Sequence, residues 1–155
     1  RRIQSIALIH EKLYHFESVE MIDFGEYLES LTTTIHAAFS TGNSGVDIRC
    51  NLQEVHLKLH QAIPCALILD ELISLLCKQS VQKGNGIEIR VSLTKANAQI
   101  CINIEQNNST AISLNNELSD DSLEITLVHA LVNQLNGKFV QKNEVGMHYE
   151  LTFEV

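Results

Sequence analysis

The chain has 155 residues, 45% of them apolar, which suits one globular domain with a full core and excludes a disordered tail. A formal net charge of -8 with no basic stripe argues against nucleic acid and against a membrane surface as partners, since phosphates are held by clustered Lys and Arg. No uninterrupted apolar run reaches the ~18 residues of a membrane span, and no leader peptide is visible.

Ile3, Ile6, Ala7, Ile9, His10, Leu13 and Tyr14 recur at helical spacing, so a helix is expected that begins before residue 1. The Arg1-Arg2-Ile3 start inside it reads as a piece of a longer protein. Little sequence nearby can cover its apolar face, so it is expected to pack against another helix or a second copy of itself. A second helix is expected from Asp23, which has capping-box spacing to Glu26, with Phe24, Tyr27, Leu28, Leu31, Ile35 and Phe39 as its stripe. Residues 41–45 read as a loop.

Alternation follows. Val46, Ile48, Cys50 and Leu52, then Val55, Leu57 and Leu59, predict two strands joined by a tight turn. Residues 62–79 predict one long buried helix with Pro64 in its first turn. Ile87, Ile89, Val91 and Leu93, then Ile100, Ile102 and Ile104, predict a second strand pair. Residues 105–121 are polar and irregular. A helix is expected over 122–135 with Gly137 just past its end, and two strands, 138–142 and 147–154, close the chain. Hairpins separated by helices imply an α/β sandwich, a mixed, mostly antiparallel sheet with helices on one face. Cys50, Cys65, Cys77 and Cys101 form no Cys-x-x-Cys pair and read as small core residues in a reducing compartment.

Several segments in combination resemble the sensor histidine kinases. Arg2-Ile-Gln-Ser-Ile-Ala-Leu-Ile-His-Glu-Lys-Leu-Tyr14 is similar to a "RIxSMALIHEKLY" segment in the second helix of the dimerisation and phosphotransfer domain. Ile22-Asp-Phe-Gly-Glu-Tyr-Leu28 resembles "IDFxEYL", and Ala62-Ile-Pro-Cys-Ala-Leu-Ile-Leu-Asp-Glu-Leu-Ile-Ser74 resembles "AIPCGLIxNELVSNALKHAF". Leu127 to Gly137 is similar to "LVxxLVxQLxG", and Gly146 to Phe153 to "GTxFxIxF". The resemblance implies the sandwich shared with gyrase and Hsp90-type ATPases over 21–155, and the end of the dimerisation helices over 1–20. It also implies cytoplasmic signalling, ATP and Mg²⁺ as cofactors of an active member, a homodimer through the N-terminal helix, and a response-regulator receiver domain as partner.

The same resemblance locates the chemistry, and here the residues depart from the pattern. The Asn that binds Mg²⁺ falls on Leu75, and a branched alkane cannot ligate a hard cation. Glu71 and Lys78 match the helix motif; Glu71 is the candidate base or metal-shell carboxylate, and the plainer reading makes both exposed partners on a half-buried helix. Gln106 stands at the Asp that reads adenine in an Asp-x-Gly-x-Gly segment and retains an amide oxygen that can accept one hydrogen bond. Asn107 follows as in the family, but Asn108 and Thr110 replace both glycines. Glu124 occupies a glycine place in the phosphate lid, where a carboxylate repels phosphate. The phosphoacceptor His belongs to an upstream segment, so His10 reads as a packing residue. His56 and His60 share an exposed strand face with Lys58 and lack a third ligand, so solvated histidines are expected. His15, His36, His129 and His148 show no partner pattern. The expectation is a dimeric phosphotransfer scaffold with weak or lost ATP binding, against the alternative of an active ATP-dependent protein histidine kinase that uses Glu71, Lys78, Gln106 and Asn107.

Overall fold

A computed structural model describes residues 7, 21–40, 45–83, 86–107, 123–143 and 146–155. The N-terminal helix, with His10 and His15, lies outside the described residues apart from Ala7, as does the segment 108–122.

The described elements are β1 (Met21–Asp23), α1 (Phe24–Phe39), β2 (Val46–Leu52), β3 (His56–Lys58), α2 (Leu59–Lys83), β4 (Ile87–Ala96), β5 (Gln99–Asn107), α3 (Leu123–Gln134), β6 (Lys138–Asn143) and β7 (Met147–Glu154). Five strands form one sheet in the order β2-β4-β5-β7-β6, and β1 with β3 makes a separate two-stranded ribbon. Only β2 and β4 run parallel; the other neighbours are antiparallel. The inward rows are Ile87, Ile89, Val91 and Leu93 on β4, Ile100, Ile102 and Ile104 on β5, and Met147, Tyr149, Leu151 and Phe153 on β7, all buried. Helices cover this one face, as the pattern predicted, and the opposite face is polar. There His148 donates from Nε2 to Asn103 Oδ1 at 2.7 Å and lies 3.8 Å from Glu105 Oε1.

The expected hairpin between 46–52 and 55–60 does not form. Gln53 N donates to Leu93 O at 3.0 Å, extending the pairing of β2 with β4. The chain then leaves the sheet, and β3 pairs antiparallel with β1, Asp23 opposite His56. Alternation reports which side chains face inward, here Val55 and Leu57, and not which strand is the partner. A parallel β2–β4 pair needs a long crossover, and α2 supplies it. The helix starts at Leu59, not 62, so Pro64 lies in its second turn and His60 on a helix instead of a strand. Cys50 is exposed and Cys101 half-buried, so only Cys65 and Cys77 are the expected core thiols. The reason is position: β2 is an edge strand with one inward residue, Val46, fully covered.

Asp23 caps α1 as expected, its Oδ1 accepting from Glu26 N at 3.1 Å. His36 donates from Nε2 to Val46 O at 3.0 Å, and His129 meets the Phe139 ring edge-on, so neither lacks a partner. The Leu59–Gln79 part of α2 is long and apolar enough to cross a membrane, unlike the expectation from uninterrupted runs. About 61% of its apolar window is buried in the fold, which is how the core helix of a sandwich reads.

The end of α3 is a Schellman motif. Gly137 N donates to Val132 O and Asn136 N to Asn133 O, both at 3.1 Å. The left-handed residue is Asn136, φ 51°, not the glycine. Gly137 is needed for closeness, since a Cβ there would stand 2.7 Å from Thr152 O on β7. Gly137→Ala is therefore expected to cost about 1–3 kcal/mol in urea denaturation, while Asn136→Gly keeps or raises stability.

Burial pushes the Tyr27 hydroxyl well above its ordinary value, with Asp70 and Cys65 adding to the rise. Burial alone does the same to the Cys65 thiol. In both, the fold prefers the protonated form, so the associated stability is whole below the unfolded-state values of about 8.5 for Cys and about 10 for Tyr and is lost as pH rises beyond them. Denaturation midpoints are expected to fall above about pH 9, and less steeply in Tyr27→Phe.

Candidate functional site

The site implied by the sequence draws on residues of α2 and of the end of β5. On α2, Glu71, Leu75 and Lys78 follow one another at i, i+4 and i+7, which places them on one stripe of the helix. Glu71 is half-buried and Lys78 exposed. Leu75 is partly buried and packs against the core cluster. Its side chain contributes apolar surface to the fold and offers no oxygen to a cation.

Three other polar residues of α2 are buried. Asp70 is 4% exposed, and Ser74 Oγ donates to Asp70 Oδ1 at 3.4 Å one turn on. Gln79 is buried as well, and its amide oxygen has no hydrogen-bond partner among the described residues. The sequence reading passed over these three residues. Their signal was present, polar side chains at 70, 74 and 79 in the most apolar segment of the chain.

Gln106 is the fourth inward residue of β5, in line with Ile100, Ile102 and Ile104 and opposite Ile89 on β4. It is not part of a polar loop: the strand continues through Asn107. Gln106 is 3% exposed, and its Oε1 has no hydrogen-bond partner among the described residues. Burying an amide oxygen without a donor costs about 1–3 kcal/mol. The backbone of Asn107 pairs with Glu88; its side chain lies outside the described residues. Glu124 sits in the first turn of α3, half-buried, where a carboxylate complements the helix dipole. Asn108, Thr110 and the lid up to Ser122 lie outside the described residues.

The described side chains therefore test the fit of a metal-bound nucleotide in two places, with opposite results. Gln106 presents a buried acceptor suited to an exocyclic amino group. Leu75 presents hydrocarbon, which cannot ligate Mg²⁺. Two surface cavities, of about 410 and 370 Å³, lie elsewhere and are lined by neither Glu71 nor Leu75, Lys78 or Gln106. The smaller contains Cys50, whose thiol, in a side chain still exposed on one side, is raised above its ordinary value by partial desolvation, against a lowering by the Thr32 hydrogen bond. A thiol so protonated is a poor nucleophile.

Comparison with known proteins agrees with this architecture. Residues 1–39 match a family model described as histidine kinase. The histidine kinase domain of the Erythrobacter litoralis EL346 blue-light activated histidine kinase superposes with a TM-score of 0.84 at 12% identity, covering 99% of this chain and 72% of that one. Against the longer EL346 protein the TM-score is again 0.84 at 13% identity, and this chain spans 47% of it. The mycobacterial sensor histidine kinase MprB gives a TM-score of 0.66 at 10% identity, with 88% and 97% coverage. No curated protein matches the sequence. At such identities the structural likeness speaks for the fold. Residues 1–39 carry the match to the histidine kinase family model, and the rest of the chain carries the fold of histidine kinase domains.

Proposed function

We propose that this chain acts in two-component signalling as a dimeric phosphotransfer scaffold whose ATPase-type domain has weak or lost ATP binding. Residues 1–20 serve as the end of the dimerisation helices, 21–155 as the sandwich, and a response-regulator receiver domain is the partner, in the cytoplasm. The observation that carries the reading is Leu75, packed against the core on the stripe between Glu71 and Lys78. Asn108 and Thr110 in the glycine places, and Glu124 in the lid, point the same way.

One observation favours the alternative, an active ATP-dependent protein histidine kinase with an altered pocket. The unpartnered oxygen of Gln106 is a buried acceptor at the position that reads adenine in the family. In that reading Gln106 accepts from the base, Asn107 and Lys78 face the nucleotide and Glu71 is the base.

Calorimetric titration with MgATP separates the two. No saturable binding is expected below about millimolar, a free energy of ~4 kcal/mol; saturable binding below that level would favour the altered pocket. Leu75→Asn alone is expected to leave MgATP binding undetectable, because the glycines remain absent, and measurable affinity in that variant contradicts the scaffold reading. Gln106→Leu is expected to raise unfolding stability by about 1 kcal/mol through removal of a buried acceptor without a donor. A loss of stability on urea denaturation would show that the amide is satisfied in the fold.

A further inference from the structure

The β1–β3 ribbon gathers a donor set that neither the core nor the nucleotide site uses. Asp23 and His56 are direct partners in its register, so their side chains leave the same face. Val55, 1% exposed, points inward, and Glu54 and His56 on either side of it are exposed. One oxygen from each carboxylate and one ring nitrogen of His56 lie within 4.8 Å of one another.

The backbone beneath them is pinned. Phe24 N donates to Val55 O at 2.8 Å, and the chains run so close that a Cβ on Gly25 would stand 2.9 Å from Gln53 O. The cap bond to Glu26 N fixes the Asp23 side chain and leaves its second oxygen available. Among the described residues, Glu54 and His56 make no hydrogen bond or ion pair, and Lys58 farther along β3 pairs with none of the three. Two carboxylates thus converge with no cation between them, an arrangement that a bound cation stabilises. The third ligand that His56 lacked in the sequence comes from a segment more than 30 residues away in the chain.

We propose that Asp23, Glu54 and His56 bind a first-row divalent transition ion, of which Zn²⁺ is the test case, and that the ion clamps β1 to β3. One imidazole with two carboxylates is a mixed nitrogen and oxygen set suited to such ions, whereas Mg²⁺ and Ca²⁺ take oxygen alone. Donor atoms bound at about 2.0–2.2 Å stand some 3 Å apart, so modest side-chain rotation closes the set. Strand β1 directly follows the segment 1–20 and leads into α1, inside the stretch that matches the histidine kinase family, whereas β3 lies beyond it. An ion here stiffens the hand-over from that segment to the sandwich, independently of any nucleotide.

Calorimetric titration of the chelator-treated chain with Zn²⁺ is expected to show one saturable site, with Zn²⁺ raising the thermal midpoint. Outer partners of metal ligands already change affinity 10–100-fold, so Glu54→Gln and His56→Ala are each expected to weaken binding at least about tenfold. Asp23→Asn does likewise while keeping the helix cap, since Asn caps as well as Asp. His60→Ala leaves binding unchanged. Circular dichroism of each variant confirms folding. Absence of saturable binding, or binding that survives both Glu54→Gln and His56→Ala, overturns the proposal.

Discussion

The structure depends on one requirement, that the apolar face of a five-stranded sheet be removed from water along its whole length. Leu69, Leu72, Ile73 and Leu76 of α2 are buried, as are the rows of β4, β5 and β7. Each such side chain contributes about 1.5–3 kcal/mol by burial, so this interface outweighs any polar contact described. Its demands also explain α2 itself: a helix covering the middle of a wide sheet, with α1 and α3 beside it, is apolar on most of its circumference. That is why the same 21 residues satisfy a membrane-span criterion while lying inside a sandwich.

Against that background the informative residues are the ones that break the rule. Asp70, Ser74, Gln79 and Gln106 are polar and buried between layers that are otherwise hydrocarbon. Leu75 is the apolar member of the stripe it shares with Glu71 and Lys78, and it packs against the core. The sheet requires α2 as its cover whatever the polar residues of the helix do.

The amphipathic pattern of α1, the hairpins β4–β5 and β6–β7 and the end of α3 were all legible in the residues, because each rests on local periodicity or local turn chemistry. The β2–β3 hairpin was not. Its two apolar rows are real, but Gln53 continues along β4 and β3 pairs with β1, a choice made by contacts between segments far apart in sequence. The candidate site was half legible for the same reason. The shared stripe of Glu71, Leu75 and Lys78 follows from helix spacing, whereas the burial of Gln106 follows only from β5 running on through Asn107.

The sequence by itself determined the layered class and the Asp23 cap of α1, since these depend on neighbours within a turn or a strand. The tertiary structure alone decided that β2 is a parallel edge strand and that Cys50 is exposed while Cys65 is buried. It also decided that Asp23, Glu54 and His56 meet. Pairing and burial are properties of the partner that covers a surface, and no local pattern names that partner.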